Sequence, residues 1–592
     1  MTDSAEIPRP AAAVTDPTNG EIAAALDELG DLYELDGAVI HRIVAYRNAA
    51  KAVRDAPVSI TALAREGRAT ELAGIGAIIQ EKVISLAETG EIPALVKLRA
   101  KFPPGLVEMT RLPGLGPKRA RRLFDELGID SLEALRTAAE GQRIRALKGF
   151  GPKAETSILA ALDAAGAGEH QPRFVLNRAL AIAEPLIAAL LEHPASEHVQ
   201  LAGSARRMTD SVKDLDVIAT ARDPLALSQA AAELELVEQA GTPGEAGVRL
   251  RTHTGIQVDL RIVAPDQFGN LLQHFTGSKQ HNMALRDTAV RKGLHVSEYG
   301  VLDDSTGETH RCATEAEVYG LLGLAYIEPE LRENRGELEA AANETLPDLI
   351  ELGDLRGDLH CHTTASDGTA SIEEMAAAAR DVGYEYLAIT DHSASFGFGD
   401  DLSPERLRAH IAQIRAASVD GLELLAGSEV NILPDGSLDY DDEILAELDW
   451  VVASVHSSFR MDADTMTQRI ISAMENPLVD AIGHLSGRKI ERREPYALHA
   501  DQVIEAAART GTMLEINASP DRRDLNEVNA RAAAAAGVPI LINCDAHRIG
   551  GFEVARYGVA TARRAWLSAS DVANTGSWAD VAALRPRHRS PR

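Results

Sequence analysis

Cysteine is scarce: only Cys312, Cys361 and Cys544 occur in 592 residues, none in a C-x-x-C pair. That spacing excludes a disulfide framework and a thiolate zinc site, and it fits a reducing compartment. No run approaches the roughly 20 apolar residues that a membrane helix needs, and the opening MTDSAEIPRP lacks a charged-then-apolar leader pattern. A cytoplasmic location without a membrane partner is therefore expected. Positive charge is also short, with 60 Lys and Arg against 89 Asp and Glu and a formal net charge of −29. Taken whole, such a balance argues against a nucleic-acid partner, which usually meets a basic footprint. The deficit is uneven, however, because residues 101–160 carry eleven Lys or Arg against seven Asp or Glu.

What is present is ordinary for a globular chain, 45% hydrophobic and 25% charged. At about 150 residues per domain, the length predicts about four domains. Residues 1–18 and 576–592 are compositionally biased and read as tails. From 19 to 170 the pattern is helical. From 171 to 262 short apolar strands (VQLAGS, LDVIAT, IQVDLRIV) alternate with helices, a mixed α/β part continues over 263–335, and 336–355 reads as an acidic helical or extended connector. Over 356–575, strands followed by Ala-rich helices predict a parallel α/β barrel or sheet.

Three segments share an apolar residue, Gly-x-Gly and a helix: LAGIGAIIQEKV, LPGLGPKRARRL and LKGFGPKAETSI, with glycine pairs Gly74/Gly76, Gly114/Gly116 and Gly149/Gly151. Two close glycines permit a tight turn that bares backbone N–H groups at a helix start, where a phosphate oxygen can bind without much net charge. One such turn is a plain connector; three in register point to helix-hairpin-helix contacts with a DNA backbone. Lys118, Arg119, Arg121 and Arg122 add charge beside the second.

In GSARRMTDSVKDLDVI, Asp214 and Asp216 are two apart on a strand, so their carboxylates face one way and Leu215 the other. Asp259 in IQVDLRIV is a candidate third ligand. Three hard oxygen donors without imidazole suit Mg²⁺ or Mn²⁺, which activate a 3′ hydroxyl and clamp a triphosphate. Alone, D-x-D reads more simply as two solvated acids. Gly203 and Ser204 before it can meet a nucleotide phosphate, which Arg206 or Arg207 would neutralise. With these residues the sequence resembles the family X DNA polymerases, the DNA polymerase beta group. HFTGSKQHNMALR resembles that family's nucleotide-binding turn, which implies Phe275 and Gly277 beside the sugar of a deoxynucleoside triphosphate, Asn282 at its minor-groove edge and Arg286 toward the template. His274 stands where the family usually has Tyr, and Met208 where Gly is common. HRIVAYRNAAKAV and the first hairpin resemble the small lyase domain, implying a Schiff-base role for Lys82 and a 5′-phosphate pocket at Arg42 and Tyr46, with Ile78 replacing a pocket lysine. Read from the residues alone, Lys82 is an ordinary helix lysine.

DLHCHTTASDG puts His360 and His362 on one face and Cys361 on the other, where it reads as packing. Asp367, His392, Glu429, His456, His484, Asp545 and His547 follow, mostly at strand ends. Ligands at the carboxyl ends of barrel strands meet on one face, so these nine predict a metal centre. The set resembles the polymerase and histidinol phosphatase (PHP) domain over 356–575, which implies up to three Zn²⁺, Mn²⁺ or Fe ions and phosphoester hydrolysis. ASFGFGDDL, residues 394–402, differs from the basic loop expected there.

The resemblances imply a multidomain chain. Two N-terminal all-α helix-hairpin-helix domains, lyase-like (19–100) and fingers-type (101–170), precede an α/β nucleotidyltransferase palm (171–262), a thumb (263–335) and a distorted PHP-type (β/α)7 barrel (356–575). They also imply a nucleoid-associated, monomeric repair polymerase that fills short gaps in gapped or nicked DNA and carries a metal-dependent 3′-5′ exonuclease or 3′-end phosphoesterase. Two alternatives stand beside it: a phosphoesterase of small phosphates tethered to DNA, and a PHP barrel that is only a metal-stabilised scaffold.

Overall fold

Helix punctuation in the sequence sets the front of the chain. Thr18 and Glu21 form a capping box on helix Asn19–Leu35, Pro93, Pro104 and Pro117 open three later helices, and Gly90 and Gly128 close two in the left-handed conformation. The computed structural model describes residues 16–112, 114–166, 173–395 and 402–588. Most of ASFGFGDDL and the extreme ends lie outside the described residues. The chain divides into two compact units, one built from residues 1–173, 181–199 and 221–262, the other from 174–180, 200–220 and 263–592. No helix among the described residues is long and apolar enough to cross a membrane.

In the first unit, Ile22, Leu26 and Leu29 on the first helix and Ala49 and Val53 on the second recur at helical spacing and are fully buried. The expected boundary at residue 100 does not divide this core: Leu95, Leu98, Phe102 and Leu106 belong to one buried cluster running from Ile22 to Leu162. The same unit holds an antiparallel ladder of Val237–Ala240, Gly247–Thr252 and Gln257–Ile262, with Arg249 opposite Asp259.

In the second unit, seven parallel strands follow in chain order: Gly357–Cys361, Tyr386–Ile389, Glu423–Asn431, Trp450–Ser454, Ala481–Ile482, Met513–Asn517 and Ile540–Asn543. Nearly every strand residue is buried, as parallel strands covered by helices require. The seam between first and last strands is closed largely by side chains. Leu359 N–H donates to Asn543 Oδ1 at 3.0 Å, and Cys544 N–H donates to Asp358 Oδ2 at 2.8 Å. Asn574 spans the seam, donating to the carbonyls of Gly357 and Ile542 at 2.8 and 2.7 Å and accepting from Ile542 N–H at 3.0 Å. Asn574→Ala leaves those three groups buried without partners, at about 1–3 kcal/mol each. A fall in the melting transition reported by Trp450, Trp566 and Trp578, all in this unit, is the expected outcome.

Two expectations need correction. The segment 576–592 is not simply a tail: Ser577 caps helix Trp578–Leu584, Val581 is fully buried, and Arg585 and Arg587 pair with the buried carboxylate of Asp480 at 2.9 and 3.0 Å. An Arg- and Pro-rich composition reads as disorder unless the interior anion it serves is seen. The connector 336–355 is packed as well, with buried Glu337 bonded to His281 Nδ1 at 2.7 Å and Ile350 fully buried.

Candidate functional site

On or after six of the seven strands, toward their carboxyl ends, nine side chains converge. Four overlapping groups have ligand atoms within 4.8 Å of one another: His362, Asp367, His392 and His547; His360, His362 and Asp545; His360, Glu429 and His484; and His392, Glu429 and His456. Alternation on the first strand gives this geometry, with Cys361 turned into the surrounding core and its thiol toward the Ala388 carbonyl. Glu429 lies 2.9 Å from His392 Nδ1 and from His484 Nε2, while Asp545 lies 3.1 Å from His362 Nε2 and Asp367 3.3 Å from His547 Nε2.

Burial would raise Glu429, but His456, His360 and His392 hold its carboxyl well below the usual range. Burial disfavours charge on His392, yet Glu429 and Asp367 push it up to about 9. His362 falls to about 4 through burial and the nearby His547 and His392, and His484 to about 4 through burial and Arg522. His360 Nε2, both ring nitrogens of His362 and both Glu429 oxygens are buried without a hydrogen bond. Lone pairs stranded together in this way fit metal ions, and imidazole plus carboxylate without thiolate suits Zn²⁺, Mn²⁺ or Fe.

On strand Asp214–Ala221, Asp214 is exposed and Asp216 half-buried, with Leu215 fully buried between them. Ala202 N–H donates to the Asp216 carbonyl at 2.8 Å. Gly203 has φ +66°, and a Cβ there would collide with the Asp216 carboxylate, so the turn requires glycine. Ser204 follows it in the short helix Gly203–Arg206. Asp259 lies on Gln257–Ile262 in the first unit, 3.1 Å from the Arg261 guanidinium.

Arg207, expected at a nucleotide phosphate, is committed elsewhere: it pairs with Glu333 at 3.1 Å and donates to the Thr276 carbonyl at 2.5 Å. Arg206 is likewise forked onto Glu315 at 2.7 and 2.9 Å. Past helix Phe268–Thr276 and Gly277, Asn282 donates to the His274 carbonyl at 2.7 Å and Arg286 lies 3.3 Å from His274 Nδ1. The Phe275 ring sits 5.5 Å from that of His274.

Each hairpin turn has its first glycine left-handed, Gly74 at φ 93°, Gly114 at 81° and Gly149 at 87°. A Cβ added at Gly76, Gly116 or Gly151 would meet open space, so these helix starts are bare. The arginines beside the second turn are not free cations. Arg119 donates to the carbonyls of Gly114 and Gly149 at 2.8 and 3.0 Å, Arg121 to Asp125 and the Leu35 carbonyl at 2.8 and 2.9 Å, and Arg122 to Glu126 and the Lys148 carbonyl at 2.9 Å each. Arg119 and Arg122 thereby fasten the second hairpin to the third. Lys82 is half-buried on helix Ala77–Thr89. Arg42 lies over the Tyr33 ring at 5.2 Å, and Tyr46 is buried against Tyr33, where burial and that neighbour push its hydroxyl up to about 12.

Family models match in the same chain order: a helix-hairpin-helix domain over residues 17–92, a SAM-like helix-hairpin-helix tandem over 106–164, a DNA polymerase beta thumb over 271–333 and a PHP domain over 358–519. The DNA polymerase/3′-5′ exonuclease PolX of Bacillus subtilis (strain 168) is 38% identical over 572 residues, 96% of this chain and 99% of that protein. The chain belongs to the family X DNA polymerases that carry a PHP domain.

This family X polymerase is also similar, over about a third of its length, to probable phosphatases. One from Caldanaerobacter subterraneus subsp. tengcongensis is 33% identical over 34% of this chain and 80% of its own length, and one from Shewanella sediminis 34% identical over 32% and 77%. Around the nine convergent side chains of the polymerase stand two further polar residues that the sequence pattern does not single out. Glu515 accepts from or pairs with His360 Nδ1 at 2.7 Å and accepts from His484 N–H at 2.8 Å; Asn431 Oδ1 meets His456 Nδ1 at 2.6 Å. Each occupies one ring nitrogen and so aims the other at the centre. A glutamate inside the apolar strand MLEIN was the available signal. Glu515→Gln should weaken metal retention about 10–100-fold, measured by chelator competition.

Proposed function

We propose that this polymerase fills short gaps in DNA at its palm and removes 3′-terminal nucleotides at its PHP centre. The observation that carries the reading is the convergence of nine His, Asp and Glu side chains with stranded lone pairs, in a chain that also keeps the Asp214/Asp216 pair. In the first reaction the primer's 3′ oxygen bonds to the α-phosphorus of a deoxynucleoside triphosphate, and pyrophosphate leaves. Asp214, Asp216 and Asp259 would hold Mg²⁺ or Mn²⁺, which supply charge stabilisation for the attacking and leaving oxygens. Gly203 and Ser204 meet the triphosphate, Phe275 and Gly277 the sugar, and Asn282 and Arg286 the base pair. Bare N–H groups at the Gly76, Gly116 and Gly151 turns hold the DNA backbone. Lys82 stands as the Schiff-base amine toward a 5′ deoxyribose phosphate.

At the PHP centre, the nine ligands would hold up to three Zn²⁺, Mn²⁺ or Fe ions, which supply a water nucleophile at neutral pH and screen phosphoryl charge. Glu515 and Asn431 keep the imidazoles in place. The expected substrate is gapped or nicked DNA, acted on by a monomer at the nucleoid. Incubating the pure protein with a one-nucleotide-gapped, 5′-phosphorylated duplex, with Mg²⁺ or Mn²⁺ and with or without nucleotides, scores both reactions. Extension with nucleotides and resection without them supports the reading; neither product refutes it. The likeness to probable phosphatases keeps one competitor, a small-phosphate hydrolase, which faster hydrolysis of histidinol phosphate than of DNA ends would favour.

A further inference from the structure

Beside the nine ligands stands a cation that the metal centre does not need. Arg522, on the loop after strand Met513–Asn517, has a side chain only 12% exposed, with Nε 3.5 Å from Asp545 Oδ2. That Nε is buried and makes no hydrogen bond. A guanidinium so close to a ligand carboxylate opposes the loading of cations on it. The placement becomes favourable once an anionic oxygen lies between guanidinium and ions, because the planar fork then donates to it from the side away from the metals. We propose that Arg522 grips a non-bridging oxygen of the phosphate cleaved in the PHP centre, an assignment that rests on the nuclease reading above.

The loop is built to hold that fork still. Arg488 Nε donates to the Arg522 carbonyl at 2.7 Å, and Arg522 N–H donates to the Ser519 carbonyl at 2.8 Å. Asp524 accepts from the backbone and hydroxyl of Ser486 at 2.9 Å each. Asp210, six residues before Asp216, pairs with Arg488 at 2.8 Å and with Arg523 at 3.3 Å, so the loop is braced from the Gly-Ser segment as well. A donor fixed in advance stabilises developing charge without reorganising at the moment of reaction.

In the step it serves, a water oxygen bonds to phosphorus and the P–O3′ bond breaks. The leaving 3′ oxygen takes a proton, giving a strand one residue shorter with a 3′ hydroxyl and a nucleoside 5′-monophosphate. Negative charge grows on the non-bridging oxygens during attack, so the Arg522 bond strengthens there, and its loss falls mainly on kcat.

The test uses full-length Arg522→Ala and Arg522→Lys with Mn²⁺ and a single-stranded oligonucleotide. Arg522→Ala should lower kcat for 3′ digestion about 100-fold or more, with Arg522→Lys recovering part of it. Metal per chain, by plasma mass spectrometry, should match the parent protein, gap filling should persist, and metal-stripped Arg522→Ala should bind thymidine 5′-monophosphate at least about tenfold more weakly, the share of one charged hydrogen bond. Unchanged digestion overturns the assignment. So does a loss of metal parallel to the loss of digestion, which would make Arg522 a brace for Asp545. A parent protein that digests no 3′ ends would fail the underlying nuclease reading instead, and nucleotide binding to the stripped chains would still decide the role of Arg522.

Discussion

Replacing Asp214 and Asp216 together by alanine should abolish nucleotide addition to gapped DNA while Mn²⁺-dependent digestion of 3′ ends continues. Removing one preorganised stabilising group from an active site costs about 10²–10³ in rate, so loss of two metal-binding carboxylates should exceed ~10³. The fold should tolerate the change, because Asp214 is exposed, Asp216 is half-buried and the buried residue between them, Leu215, is untouched. Extension and resection assays on one protein sample check this. Equal loss of both activities refutes a two-site enzyme.

The converse follows from His360→Ala with His362→Ala. Between them these residues belong to three of the four ligand groups, so the pair strips most of the rear centre at once. Digestion of 3′ ends should fall by more than ~10³, and metal per chain should drop with it, while gap filling persists. Both imidazoles are fully buried and Glu515 loses its ring partner while keeping the His484 N–H, so part of the effect is structural. His360→Asn with His362→Asn fills more of the void and serves as the folding control; it should also lose digestion, because amides are poor donors to these ions.

The parts legible in the sequence were those with a short-range period. Two-residue alternation placed His360 and His362 on one face with Cys361 in the core, and recurrent Gly-x-Gly marked three turns that share a left-handed first glycine. Strand ends named most of the nine convergent side chains, because ligands such as His392, His456 and His484 follow apolar runs, while Asp367 lies in the loop after the first strand. Less legible was what a charged side chain does once folded. Arg119, Arg121, Arg122 and Arg207 stand where phosphate contacts are expected, yet each also donates to a carbonyl or carboxylate that lies far away in sequence. Glu515 and Asn574 were hidden for the same reason. A buried polar residue is explained by its partner, and the partner is known only after the chain has folded.

The pairing of Arg585 and Arg587 with Asp480 bears on how the rear barrel can be studied by itself. Composition suggests ending an excised fragment near residue 575, which would discard both guanidinium groups and strand an ionised carboxylate in a dry interior. A stand-alone nuclease fragment therefore has its natural stopping point beyond Arg587, and a shorter piece that aggregates would say nothing about whether the barrel can act alone.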